Sequence, residues 1–405
     1  MFTIEKNMLS DRINRLAESE TLAMTRRCRE LKEKGVDVIN LSIGQPDFNT
    51  PEYIKDAARK ALEQNFTGYP PVSGYADLKN AVCFKLKRDN NLEYQPSQVV
   101  VSTGAKQALA NTILSLINPG DEVILPTPYW VSYRELIKLA EGIAVTIPAT
   151  VANDFKITPE QLENAITPKS RMFLFSSPCN PTGSVYSRSE LEALVKVFEK
   201  YPDIYIVSDE IYELINFNGK HESIAQFESV RNRVVIINGV SKGFAMTGWR
   251  LGYSVSSPQI AAACDKLQGQ ITSGASSISQ KAAVAALMTD PSISEELQNM
   301  VRVFKTRKEL FFNLLCEIPG FITNNPEGAF YFFPDVTSYF GKKDGYHVIE
   351  NSTDLCNYLI DSAFVATVPG DAFGNPDCIR LSYATSEKDL VEAGRRIKEA
   401  LAKLT

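Results

Sequence analysis

Two histidines, His221 and His347, and two tryptophans, Trp130 and Trp249, are all that this 405-residue sequence holds of either residue. With so few imidazoles, set far apart, a histidine-rich metal site is not expected, and no metal is assigned. No uninterrupted apolar stretch approaches the roughly 20 residues needed to span a bilayer. The amino terminus, MFTIEKNMLSDRINRL, lacks the apolar core and small-residue cleavage site of a secretory signal. Seven cysteines, an odd number without a CxxC pair, are read as reduced thiols in a cytoplasmic protein. The formal charge of −5, from 43 basic and 48 acidic residues, is too mild to require nucleic acid or an anionic membrane as a partner. Repeats and low-complexity tracts are also missing. What remains is a globular chain, 44% hydrophobic and 22% charged, long enough for more than one domain.

From about residue 95 to 260, apolar runs recur: VVVSTG (99–104), EVILP (122–126), RMFLFSSP (171–178), IYIVSDE (204–210), VVIING (234–239) and LGYSVSS (251–257). Helical or loop segments separate them, including a helical pattern from Lys106 to Ile117. Runs that are apolar nearly throughout suit strands covered on both faces by helices. The expected fold class is therefore α/β, with a large domain built on a mainly parallel, doubly wound sheet. Ligands gather at the carboxyl ends of strands in such a sheet. After about residue 290 the pattern changes. A long helical stretch (294–316) precedes GFITNNPEGAFYFFPDV (320–336), a helix near 353–363, a strand CIRLSYA (378–384) and a final helix from Ser386 to Leu404. This order predicts a smaller α+β domain. The expected division is 1–45 as an amino-terminal segment packing on the small domain or a partner, 46–290 as the large domain and 291–405 as the small one. A helix over roughly 20–34 belongs to the first segment.

Chemistry concentrates in a few motifs. In NGVSKGFAMTGWRLGY (238–253), Lys242 follows Ser241 just past an apolar strand, and Arg250 comes eight residues later. Burial and neighbouring cations make a lysine shed its proton and act as a nucleophile. A guanidinium fork suits a phosphate. A Ser-Lys pair alone is no signal, because most lysines are solvated. VSDEIY (207–212) puts Asp209 at the tip of a buried strand, where a carboxylate needs a partner; an isolated motif of this kind also reads as a helix cap. SPCNPTG (177–183) contains Asn180 in what by itself is a loop breaker. STGAKQ (102–107) places small residues where backbone amides and a helix amino terminus can approach an anion, or simply turn the chain. PYW (128–130), YPPVSGY (69–75), RLSYA (380–384) and IGQPD (43–47) complete the set.

Together these motifs, in this order over essentially the whole chain, closely resemble the class I aminotransferases of fold type I. The likeness is strongest to the bacterial aspartate aminotransferase branch, which includes prephenate aminotransferases. The resemblance implies pyridoxal 5′-phosphate (PLP) as cofactor, held by Lys242 through a Schiff base. It implies that Asp209 pairs with the pyridine nitrogen and that Tyr212 and Asn180 bond the phenolic oxygen. Gly104, Ala105 and Lys106 would cradle the phosphate with their amides, joined by Ser241 and Arg250, and Trp130 would stack on the ring. Tyr69 would reach the phosphate of a neighbouring subunit, so the expected assembly is a homodimer with shared active sites. Arg380 would clamp the substrate α-carboxylate, with Gly44, Asn180 and Trp130 also touching substrate.

The catalytic set is then Lys242, Asp209 and Tyr212, moving an amino group between an amino acid and a 2-oxo acid in two half-reactions. Lys106 would direct its ammonium to the distal carboxylate of aspartate or glutamate, unless it is only a solvated lysine. A cation at a helix amino terminus is unfavourable unless an anion is near. QITSGA (270–275) has no arginine for that task, though Thr272 or Ser273 offers a hydroxyl. Aspartate and 2-oxoglutarate are the expected pair. Prephenate or aromatic amino acids, and a fold-type-I PLP lyase, are the alternatives, since fold does not fix reaction type. A PLP-sensing regulator needs a DNA-binding module, for which no basic segment is present.

Overall fold

Side chains that alternate between two apolar layers explain the long hydrophobic runs. The computed structural model describes residues 9–18 and 20–405, without the side chain of Leu22. In the run Ser170–Ser176, Phe173 and Phe175 enter one core while Met172 and Leu174 enter another on the opposite face. That is period-two alternation with both sides buried.

Seven strands form the main sheet. In chain order they are β1 (Val99–Ser102), β2 (Glu122–Thr127), β3 (Ile143–Pro148), β4 (Ser170–Ser176), β5 (Tyr205–Asp209), β6 (Val234–Gly239) and β7 (Gly252–Val255). Across the sheet the order is β1-β7-β6-β5-β4-β2-β3. The pairs among β3, β2, β4, β5 and β6 are parallel, whereas β7 runs antiparallel to both β1 and β6. One face is covered by a core that includes Leu78, Val82, Val195 and Phe198, the other by one with Leu109, Ile113, Ile137 and Ile260. The expected α/β sheet is present. The sequence reading did not name β3, an edge strand whose residues are mostly half-buried or exposed.

A third core is built around the helices Glu295–Cys316 and Glu387–Leu401. Beside them Ile379–Ser382 is the centre of a three-stranded antiparallel sheet, flanked by Val368–Pro369 and Tyr331–Phe332. The amino-terminal helix Glu20–Glu33 contributes Met24 and Cys28 to the same core, and Ile39–Asn40 pairs in parallel with Val365–Ala366. Chain from both ends therefore builds this body. No helix among the described residues is long and apolar enough to cross a membrane.

The antiparallel β7 fixes the chemistry that follows. Its first residue, Gly252, lies opposite both Ser102 of β1 and Gly239 of β6, level with the carboxyl ends of its neighbours. A Cβ at Gly252 would lie 2.6 Å from the Gly104 carbonyl carbon and 2.7 Å from Ala105 Cα, so no side chain fits. Gly252→Ala should cost about 1–3 kcal/mol through overpacking and lower the apparent Tm in a thermal melt. Gly68→Ala, where a Cβ meets nothing within 4 Å, should leave it nearly unchanged.

Candidate active site

Strand ends converge on one cavity of about 530 Å³. Ala105, Lys106, Trp130, Asn180, Asp209, Tyr212, Ser241, Lys242, Arg250, Arg380 and Gly44 all line it. Each of those sequence-predicted residues is thus brought to one place, with Gly104 directly beneath Arg250. Tyr69 is not among them: it is 96% exposed on the surface. Thr272 and Ser273 are exposed and do not line the cavity either. Thr272 instead accepts a hydrogen bond from Gln107 Nε2 at 2.8 Å.

The β1–helix turn forms a cradle. Gly104 has φ +83°, and a Cβ there would lie 2.9 Å from Arg250 Cζ. The helix Ala105–Leu116 begins at this point, so the amides of Ala105 and Lys106 sit in the first turn where no intrahelical acceptor exists. Gly104 differs from the expectation in one respect: its own N–H donates to the Ser102 carbonyl at 2.8 Å. Arg250 adopts the left-handed region (φ 51°), uncommon for a side chain of its size, after a short 3₁₀ turn, Thr247–Trp249. It donates to Thr247 O at 3.0 Å and pairs with no carboxylate among the described residues. A permanent cation over open amides is an anion receptor.

Lys242 lies three residues beyond β6, and its Nζ donates to the carbonyl of Gly44. Burial, then the charges of Arg380 and Arg250, pull its pKa down to about 7; Lys106 adds to this and Asp209 opposes it. Asp209, at the end of β5, is 5% exposed. Burial pushes its pKa up to about 6, although it accepts a 2.7 Å hydrogen bond from Tyr133 Oη and one from the Ile211 amide at 3.2 Å. The amine and the carboxylate therefore both titrate near neutrality, the usual signature of groups tuned for proton transfer or ionic recognition.

Arg380, on Ile379–Ser382, is 1% exposed and faces no carboxylate among the described residues. It donates to Asn180 Oδ1 at 3.0 Å and to Ser42 O at 2.7 Å, while its Nε has no partner. Its guanidinium lies 4.6 Å from the Tyr331 ring centroid and 5.0 Å from that of Phe373. A buried, uncompensated guanidinium is costly, and a ligand carboxylate is what would relieve it. Across the cavity, Lys106 Nζ sits 4.9 Å from the Trp130 ring centroid, and burial with the nearby Arg250 charge lowers its pKa.

Sequence reasoning missed Tyr133 and Tyr331. Tyr133 stands three residues after Trp130, packs edge-on against it at 5.6 Å and holds Asp209. Tyr331, in the GAFYFF run, shares a 2.7 Å hydrogen bond with Tyr212 Oη. Thr21 and Thr25 of the amino-terminal helix also reach the cavity wall. Only the spacing of Tyr133 from Trp130 was a usable signal, because the others lie in segments that read as ordinary core.

The donor set fits PLP. Its phosphate matches the amides at Ala105 and Lys106 under the unpaired Arg250, its aldehyde needs an amine free of its proton, and its pyridinium needs a buried acid. All three are present in the cavity. In the cofactor-free protein, acylation of Lys242 by acetic anhydride should rise through a midpoint near pH 7. A midpoint near that of ordinary lysines, about 10.4, would contradict the electrostatic account.

Comparison with known proteins agrees with this chemistry. The family model described as aminotransferase class I and II matches residues 36–397. A curated relative from Petunia hybrida, named bifunctional aspartate aminotransferase and glutamate/aspartate-prephenate aminotransferase, is 46% identical over 97% of this chain and 82% of its own length. An aspartate/prephenate aminotransferase from Nitrosomonas europaea is 45% identical over 97% of this chain and 100% of its own. The crystal structure of an aspartate aminotransferase from Rhizobium meliloti superposes with a TM-score of 0.94 at 40% identity, covering 98% of this chain and 100% of that one. Fold, cavity and sequence thus lead to one assignment: the chain belongs to the class I and II aminotransferases, enzymes that depend on PLP.

Proposed function

We propose that this enzyme transfers the amino group of aspartate to 2-oxoglutarate, with Arg380 and Lys106 receiving the two carboxylates of each substrate. The observation that carries the reading is the placement on one cavity of two cations that have no acidic partner among the described residues, Arg380 buried and Lys106 at its open side. The names of the relatives from Petunia hybrida and Nitrosomonas europaea support aspartate as substrate. They also keep prephenate, which carries a distal carboxylate too, as the second reading.

Bound PLP supplies an electron sink for the charge that develops at the substrate Cα. The protein does the rest. Asp209 holds the ring nitrogen, kept in place by Tyr133. Asn180 spends its Oδ1 on Arg380 and so has its Nδ2 left to donate to the phenolic oxygen, where Tyr212 joins it. Ala105, Lys106, Ser241 and Arg250 hold the phosphate, and Trp130 covers the ring. Arg380 anchors the α-carboxylate with Gly44 and Asn180, which orients the Cα–H bond toward Lys242. With a pKa near 7, Lys242 is partly unprotonated at neutral pH and would take the proton from the substrate Cα and pass it to the cofactor carbon that the lysine had vacated. Fixing carboxylate, ring and lysine together lowers the entropic part of the barrier.

Tyr69 reaches no group of its own cavity and is 96% exposed, and Ile271 is 57% exposed. Both suit contact with a second copy, so the working assembly we infer is a homodimer in which Tyr69 serves the neighbouring phosphate. All seven cysteines are free thiols, in keeping with a reducing, cytoplasmic setting.

A donor panel with 2-oxoglutarate, plus prephenate as acceptor, tests the substrate reading; aspartate should give the highest kcat/KM. Lys106→Ala should raise KM for dicarboxylates about tenfold, the equivalent of one lost charge-assisted bond, and leave monocarboxylates little changed. Equal effects on both would remove Lys106 from substrate choice. Arg380→Lys, which loses the fork, should lower kcat/KM at least about a hundredfold for every amino acid. Lys242→Ala should abolish turnover.

A further inference from the structure

Behind Asp209, outside the cavity, lies a second set of buried ionisable groups that the chemistry above does not use. Glu210 is fully buried; its Oε1 accepts from Ser208 Oγ at 2.9 Å and Ser223 Oγ at 2.6 Å. His221, 7% exposed, brings Nε2 to 3.2 Å from Glu210 Oε2, an ion-pair distance, although no aligned hydrogen bond joins them. Glu213 is paired with Lys85, itself 2% exposed, and accepts from Asn238 Nδ2 at 2.9 Å. One ligand atom each from Glu210, Glu213 and His221 lies within 4.8 Å of the others.

Counting charge decides what this cluster is. Lys85 balances Glu213. The next acid, Asp89, lies 4.0 Å from Lys85 and is bound by Arg88. The buried hydroxyls of Tyr94 and Tyr253 also face the cluster and are neutral, burial holding both phenols above their ordinary range, and Arg231 acts on Tyr94 from outside. Among the described residues, Glu210 has no cation beside it unless His221 carries a proton. An uncompensated buried carboxylate is strongly disfavoured, and this one is the chain neighbour of Asp209.

We propose that His221 is a positioning residue: held as imidazolium against Glu210, it cancels that charge and keeps the adjacent Asp209 ionised toward the cofactor. This rests on the assignment of Asp209 to the ring nitrogen. The electrostatics agree in direction. Burial opposes protonation of His221, but Glu210, with help from Glu213, outweighs it and raises the pKa. Burial likewise opposes ionisation of Glu210, and His221 with the two serines outweighs it. For Asp209 the Glu210 charge is a raising influence, so exposing it by removing His221 favours the neutral acid. Through Asn238, four residues before Lys242, the same cluster braces the end of β6.

Because only two histidines are present, the test is direct. In histidine-labelled holoenzyme, with His347→Gln to assign the signals, the His221 imidazole should titrate above the ordinary value of about 6.5. A His221 that is neutral throughout, or titrates at or below that value, overturns the proposal. In His221→Gln the PLP dissociation constant from equilibrium dialysis at neutral pH should rise about tenfold, as for one unit of pKa. Adding Glu210→Gln should restore it to within about threefold, since removing the acid removes the need for the cation. A double variant as weak as the single one would mean a merely structural histidine and also overturns it. Asp209→Ala separates the two readings. If it leaves PLP affinity unchanged, the Asp209 assignment fails; if it weakens affinity while His221→Gln does not, the His221 proposal fails. Where His221→Gln does not fold, the titration in the unmodified enzyme decides.

Discussion

The structure depends on an amine held half-buried among like charges. Lys242 shares its cavity with Arg250, Arg380 and Lys106, and among the described residues lining it Asp209 is the one carboxylate that opposes them. Burial and repulsion bring the lysine pKa to about 7, so the nucleophile is available at neutral pH without a dedicated base. The same excess of positive charge makes the cavity a receptor for anions before any ligand enters. Under the proposed function, a phosphate and the carboxylates of the substrate would offset the cost of gathering those cations.

Two backbone devices hold that charge in place. The reversal of β7 delivers Arg250 to the strand ends, and the bare Gly252 lets the Gly104–Ala105 turn close against it. The second device spans the cores: Arg380, on the carboxy-terminal sheet, donates to Ser42 from the amino-terminal segment and to Asn180 in the turn that follows β4 of the main sheet. Arg307 on the long helix pairs with Asp47 at 2.7 Å, a further tie to the segment that carries Gly44. A substrate carboxylate bound at Arg380 thus meets three parts of the chain at once.

Much of this was legible in the sequence because buried parallel strands leave continuous apolar runs that end in polar residues, and those ends line the cavity. Asp209, Asn180 and Lys242 stand at or just past such ends, and the family resemblance supplied their roles and that of Arg380, which lies within the antiparallel strand Ile379–Ser382. The edge strand Ile143–Pro148 could not, since its half-exposed residues break the pattern. Tyr133 and Tyr331 were hidden for a different reason. A buried tyrosine in an aromatic run looks like packing until its hydroxyl partner is known, and those partners, Asp209 and Tyr212, are 76 and 119 positions away. The Gly104 amide was expected to face an anion, yet it donates back to Ser102 across Thr103, a local turn that residue type allows but does not dictate. Tyr69 is 96% exposed and stands outside the cavity of its own chain, so its role at a second copy rests on the proposal of a homodimer.

A single turnover separates transamination from its alternatives most directly. Holoenzyme mixed with aspartate, with no 2-oxo acid added, should release one equivalent of oxaloacetate per active site and lose its PLP signal as the amino group passes to the cofactor. Adding 2-oxoglutarate should restore the signal and yield glutamate. Release of a different product from aspartate, with PLP retained after many turnovers, would identify a lyase and contradict the account.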